Sequence, residues 1–209
     1  MTSLLTETVF VVDDDKIIRQ QLLRLLEKAG FSGQPFASAS ELLAAIDATR
    51  PGCLLLDVNM PGMSGLELQQ ALREQNIHLP IIFLTAHGTI PMAVEAIRAG
   101  AVTFLEKPVV SSLLIEAVTQ AIAHDQAQRR IIDQQLLREK QLEQLTDRER
   151  QVMDAVVRGM TNKDIAKMLG ISFRTVEFHR ARLMEKLEAE SIADLIRMIT
   201  PAAGPQPAQ

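Results

Sequence analysis

Short apolar runs alternate with amphipathic stretches through the first part of the chain. Val9–Val12, Cys53–Leu56, Ile81–Leu84 and Val102–Leu105 are apolar runs of strand length, and a short strand is expected near Gln34 to Phe36. Between them the spacing predicts helices. The first runs from the cap Asp15 to Ala29 and is stopped by Gly30; the next two span about Ser40 to Ala48 and Ser64 to Arg73. A fourth covers Ile90 to Arg98, with Thr89 as its cap and Pro91 in its first turn. Continuous apolar strands mixed with amphipathic helices predict an α/β fold: a five-stranded, parallel, doubly wound sheet covered on both faces.

After Pro108 the pattern changes. From about Ser111 to Glu143 no Gly or Pro interrupts a long helix. Val118, Ile122, Ile131, Ile132, Leu136, Leu142 and Leu145 recur at irregular helical spacing, with Gln and Arg between them. Such a segment is a solvated linker helix or a partly paired, coiled-coil-like one. An all-helical part follows. Thr146 and Glu149 form a capping box for a helix that Gly159 ends. A short helix from Asn162 to Leu169, the turn Gly170-Ile171, and a helix from Phe173 to Lys186 capped by Ser172 make a helix-turn-helix pattern. A last helix spans Ile192 to Ile199, and the Pro- and Ala-rich tail from Pro201 reads as disordered.

Composition changes this picture little. The net charge of −4 is mild, but residues 1–145 carry 12 basic and 17 acidic side chains and residues 146–209 carry 10 and 9. That split suits an acidic metal site followed by a part that tolerates phosphate. Cys53 is the only cysteine, which excludes an internal disulfide, and it reads as an inert buried residue. Met1 to Thr8 lacks the features of a signal peptide, and no apolar run approaches the roughly 20 residues of a membrane span. The expected location is the cytoplasm, with no membrane partner.

The apolar runs deliver polar residues at their C-terminal ends. Asp13 and Asp14 close the first, Asp57 closes the Cys53 run, Thr85 closes the third, and Lys107 follows the last. In an open parallel sheet those ends converge on one crevice. Asp57 is then a carboxylate nucleophile able to form an aspartyl phosphate. Mg²⁺ prefers oxygen ligands, which Asp14 and Asp57 can supply, with Asp13 acting directly or through water and the Asn59 carbonyl as a further ligand. Lys107 and Thr85 can bind phosphoryl oxygens. His87, beside this set, reads as a loop residue.

These segments resemble the receiver domain of bacterial response regulators. The matching stretches are Val11 to Asp15, Leu56 to Gly65, Leu84 to Gly88 and Phe104 to Pro108. The resemblance implies phosphoryl transfer from a sensor histidine kinase to Asp57 with Mg²⁺, and a cis Lys107-Pro108 peptide. It also implies switch residues at Thr85 and Phe104, with room around the phosphoryl group beside Ala86. Phe104 stands where many members carry Tyr, which leaves a rotating ring without a hydroxyl.

In a helix-turn-helix the second helix enters the major groove. With Val176 at the centre of its buried face, Leu183 and Leu187 fall within about 20° of it at about 100° per residue. Arg174, Phe178, Ala181, Arg182 and Glu185 then face the other way, with Glu177 to one side. Phe178 packs on a thymine methyl or makes a contact within the domain, and Glu177 can accept from cytosine N4. Arg174 and Arg182 can reach guanine or phosphate, while Lys163, Lys167 and Arg180 suit phosphates.

Leu145 to Val152, Thr161 to Ala166 and Thr175 to Arg180 resemble the effector domain of the LuxR and FixJ group. That resemblance implies base contacts at Glu177, Phe178 and Ala181. Many members carry Lys where this chain has Glu177, which points to a different operator.

Together the resemblances imply a two-component response regulator with a receiver at 1–124, a helical linker at 125–145, a LuxR-type DNA-binding domain at 146–200 and a tail at 201–209. The expected partners are a cognate histidine kinase, a double-stranded DNA operator, RNA polymerase and, on phosphorylation, a second copy of the chain. It is not expected to be an enzyme. A metal-dependent phosphatase with an aspartyl nucleophile is the rival from another class, but such enzymes usually place an acid where Asn59 stands. A constitutive DNA-binding protein with a scaffold receiver would not need the acidic set.

Overall fold

The computed structural model describes residues 7–86 and 88–199. The expectations for His87, for the first six residues and for the tail lie outside these. The described chain divides into two compact units, residues 1–130 and 131–209.

The first unit is a five-stranded parallel sheet in the order β2-β1-β3-β4-β5. The strands are β1 Thr8–Val12, β2 Ser32–Phe36, β3 Gly52–Asp57, β4 Ile81–Thr85 and β5 Thr103–Glu106. Helices α1 Lys16–Lys28, α2 Ala39–Ala45, α3 Gly65–Glu74 and α4 Ile90–Arg98 connect them, and α5 Ser111–Glu143 follows. Strand residues alternate between the two faces because successive side chains point to opposite sides. Phe10, Val12, Leu54, Leu56, Ile81 and Phe83 pack with Leu42 of α2, Leu68 and Leu72 of α3, and Ala96 of α4. Val9, Val11, Cys53, Leu55, Ile82 and Leu84 pack with Leu22 and Leu26 of α1 and with Leu114, Val118 and Ile122 of α5. With both faces covered, every second residue has no reason to be polar, so the strands read as unbroken apolar runs.

Local signals set most helix starts. The Asp15 carboxylate accepts from the Ile17 and Ile18 amides at 2.7 and 3.3 Å. Ser64 and Glu67 form a reciprocal capping box at the start of α3, and Thr89 caps α4.

Two elements differ from expectation. Helix α2 begins at Ala39, capped by Ser38, and stops at Ala45 instead of running from Ser40 to Ala48. Glu41 accepts from the Ala37 amide at 2.6 Å, which winds the start one residue or more earlier. Asp47 then takes the Thr49 amide at 2.8 Å in a turn that competes with the helix. Strand β2 also extends back to Ser32, paired with Thr8. As an edge strand it is largely exposed, so it carries no apolar run to read.

The second unit holds α6 Asp147–Val157, α7 Asn162–Leu169, α8 Phe173–Lys186 and α9 Ile192–Ile199. They enclose a core of Val152, Met153, Val156, Ile165, Val176, Leu183, Leu187 and Leu195. Thr146 and Glu149 form the expected capping box. Gly170, in the left-handed conformation at φ 65°, turns the chain from α7 into α8. Among the described residues, no helix is long and apolar enough to cross a membrane.

Candidate functional site

The C-terminal ends of β1, β3, β4 and β5 bring the expected set together. Carboxylate oxygens of Asp13, Asp14 and Asp57 lie within 4.8 Å of one another. Asp13 and Asp57 are buried, and Asp14 is exposed at the rim. The Lys107 ammonium donates to Asp13 Oδ2 at 2.6 Å and lies 3.0 Å from Asp57 Oδ2. Lys107 reaches this place because its own backbone amide bonds the Thr85 carbonyl at 2.7 Å, and its peptide to Pro108 is cis. Thr85 is fully buried at the end of β4. The Asn59 amide donates to Asp57 Oδ1 at 3.4 Å. Phe104 is half-buried, its ring centroid 6.2 Å from that of Phe83.

Close packing under Asp57 depends on Gly65. A Cβ there would lie 2.3 Å from the Asp57 carbonyl oxygen, while the Gly65 amide donates to Val58 at 2.9 Å. The start of α3 can close beneath Asp57 only without a side chain.

In the helical unit, Val176, Leu183 and Leu187 of α8 are buried, and Arg174, Glu177, Phe178, Ala181, Arg182 and Glu185 are exposed. Phe178 is 58% exposed. Its ring meets His179 edge-on at 5.6 Å and the Arg182 guanidinium 5.8 Å from its centroid, both on the same helix. Arg182 also pairs with Glu185 at 3.2 Å. Arg180 donates to the Asn162 side chain, tying α8 to the start of α7. Lys163 and Lys167 stand exposed on α7.

Residues 9–119 match the response regulator receiver domain, and residues 143–199 match the bacterial regulatory proteins of the luxR family. The chain belongs to the response regulators. It is 44% identical over 191 residues to the transcriptional regulatory protein FixJ of Rhizobium meliloti, covering 91% of this chain and 94% of that one. It is 43% identical to the transcriptional regulatory protein TdiR of Thauera aromatica, over 92% of this chain and 85% of the other. The solved structure of the response regulator StyR superposes with a TM-score of 0.88 at 43% identity, covering 93% and 98% of the two chains. Of the three sequence readings, family membership selects the regulator. A receiver domain implies a histidine kinase partner, and a luxR-type domain implies DNA binding.

The receiver pocket sets three carboxylates against one ammonium, an excess of negative charge that a cation would offset. Burial pushes the Asp57 carboxyl above the ordinary aspartate range. The hydrogen bond and charge of Lys107 oppose that rise, and the neighbouring Asp13 adds to it. The donors are all hard oxygens, three of them carboxylate, which suits Mg²⁺ and not a soft metal. The Cys53 thiol is pushed up to about 12 by burial, which leaves it inert.

Three features escaped sequence reasoning. Arg19 of α1 donates to the Asp13 carbonyl, bracing the acidic loop. The buried Asp125 carboxylate accepts from the Gly52 amide at 2.9 Å and from Arg129 Nε at 2.8 Å. Arg129 in turn donates to the Thr49 and Arg50 carbonyls at 3.0 and 2.7 Å. Receiver contacts on α5 therefore continue past residue 124. The third is Gly88, where a Cβ would press on both Phe104 and Thr85. Arg and Asp one turn apart on a polar helix carry no sequence signal that separates a clamp from a solvated face.

Proposed function

We propose that Asp57 is the phosphoryl acceptor and that its phosphorylation drives operator binding through dimerisation. The observation that carries this reading is the Lys107 ammonium held between Asp13 and Asp57 beside the exposed Asp14. An Asp57 oxygen forms the new P–O bond as the P–N bond of the kinase phosphohistidine breaks, and the released imidazole nitrogen takes a proton. Asp13, Asp14, Asp57 and the Asn59 carbonyl would hold Mg²⁺, which supplies positive charge for the incoming phosphoryl group. Lys107 and the Thr85 hydroxyl bind phosphoryl oxygens.

Thr85 moves toward the phosphoryl group and vacates space, and Phe104 turns inward to fill it. The face formed by α4 and β5 changes, and a second copy of the chain docks there. Ile90, Val94 and Ile97 of α4 are exposed and apolar, which supports this choice of face. A dimer offers two reading helices to two half-sites. Glu177, Phe178, Ala181, Arg174 and Arg182 read base edges, while Lys163 and Arg180 meet phosphates. The luxR-type domain occupies 146–200 and its output is RNA polymerase at the promoter, which places the protein in the cytoplasm. The receiver occupies 1–124 and the linker 125–145, although Arg129 supports a receiver that extends to the unit division.

The deciding experiment is Asp57→Asn. The variant should take up no phosphoryl group from acetyl phosphate with Mg²⁺. Sedimentation with beryllofluoride and Mg²⁺ should convert the wild-type chain from monomer to dimer and tighten operator binding. Equal labelling of the variant sinks the acceptor assignment, and an unchanged mass of the wild type sinks dimerisation.

A further inference from the structure

Gly88 is squeezed between the two switch residues. A Cβ at this position would lie 2.7 Å from Cε1 of Phe104, 2.8 Å from Cγ2 of Thr85 and 3.4 Å from Cζ of Phe104. Carbon atoms pack at about 3.5–4.0 Å, so a side chain does not fit without displacement. The residue is otherwise exposed, so no surrounding core demands its small size. Any side chain at residue 88 would press on the Thr85 methyl and the Phe104 ring at once.

We infer that Gly88 is the positioning residue of the switch: its missing side chain keeps open the path along which the Phe104 ring turns inward as Thr85 moves away. This rests on the switch reading above and deepens it. A methyl group at residue 88 fills that path. The Thr85 carbonyl is held by the Lys107 amide at 2.7 Å, which fixes its backbone while its side chain turns toward the phosphoryl group. Phe104 is half-buried, so the ring gives way toward solvent. Gly88→Ala therefore holds the ring out. The three nearest atoms to the added carbon belong to Thr85 and Phe104, not to a carboxylate or Lys107.

The test uses the full chain as wild type, Gly88→Ala, Thr85→Ser and the double variant. Labelling by acetyl phosphate with Mg²⁺ reports the pocket, and sedimentation with beryllofluoride reports the switch. Gly88→Ala should label like the wild type, while its activated dimer weakens by at least about tenfold, the scale of a small overpacking cost. Thr85→Ser removes the Cγ2 methyl and keeps the hydroxyl. Adding Gly88→Ala to Thr85→Ser should cost less dimerisation than adding it to the wild type, a coupling expected only of groups in contact. Undiminished dimerisation of Gly88→Ala overturns the inference. So does loss of labelling in that variant, or an equal cost in both backgrounds. If the wild type labels but does not dimerise, the dimerisation reading itself fails and the inference falls with it.

Discussion

Lys107 sits closer to Asp13 than to Asp57, 2.6 Å against 3.0 Å. The lysine therefore neutralises the acidic loop at Asp13 as well as the Asp57 carboxylate. Burial pulls its ammonium down, but the bonds to both carboxylates outweigh that and leave it titrating above ordinary lysine. Its stabilising contribution is therefore complete below the ordinary value of 10.5 and lost as pH rises through the folded value.

Lys107→Met leaves Asp13 and Asp57 facing each other without a cation. It should destabilise the receiver by about 3 kcal/mol in metal-free buffer, the cost of breaking a buried pair. Urea unfolding at neutral pH measures this, and added Mg²⁺ should recover part of the loss. The gap from wild type should narrow as pH rises above 10.5 toward the higher value of the folded lysine. A gap independent of both metal and pH would show that Lys107 contributes only packing.

Glu149 should give the luxR-type domain an acid-sensitive stability. Burial pushes its carboxyl up, but Lys186 at 2.7 Å and the Thr146 donors outweigh burial and hold it below ordinary glutamate. The contribution is present above the ordinary value of 4.5 and lost as pH falls through the folded value. Glu149→Gln should lower the melting midpoint by about 4 °C at neutral pH. The difference should close in acid, as calorimetry from neutral pH to below 4.5 can show.

Two substitutions separate base reading from phosphate contact. Phe178→Ala should cost about 1–3 kcal/mol of discrimination between operator and altered sequences. Lys163→Ala should weaken specific and non-specific DNA alike and flatten the salt dependence by about one phosphate. Operator titrations at several salt concentrations distinguish these outcomes. Unchanged affinity in both variants would reject this docking.

The Asp125–Arg129 clamp should matter to the receiver without touching its chemistry. Arg129→Ala removes the bonds to Asp125 and to the carbonyls of Thr49 and Arg50. It should cost roughly 1–3 kcal/mol, since buried Asp125 loses its ion partner. Phosphoryl uptake should stay at the wild-type level. Hydrogen exchange should rise at the Gly52 amide, which Asp125 holds at 2.9 Å.

What the sequence determined by itself was whatever near neighbours decide. The apolar runs and the caps Asp15, Thr89, Thr146 and Ser172 are read within a few residues, and helices α1, α4, α6 and α8 start where those signals stand. The fold class followed, because unbroken apolar strands require two covered faces. It also followed that Asp13, Asp57, Thr85 and Lys107 share one edge, since parallel strands bring their C-terminal ends together. Sequence did not set α2, where Asp47 offered the backbone a turn against a short helix. Nor did it show Lys107 bound to Asp13 across 94 residues, or Asp125 reaching Gly52 across 73. Those partners are chosen by strand register and helix packing, which no local period encodes. The same holds for Gly88: its want of a side chain means something only once Thr85 and Phe104 stand on either side.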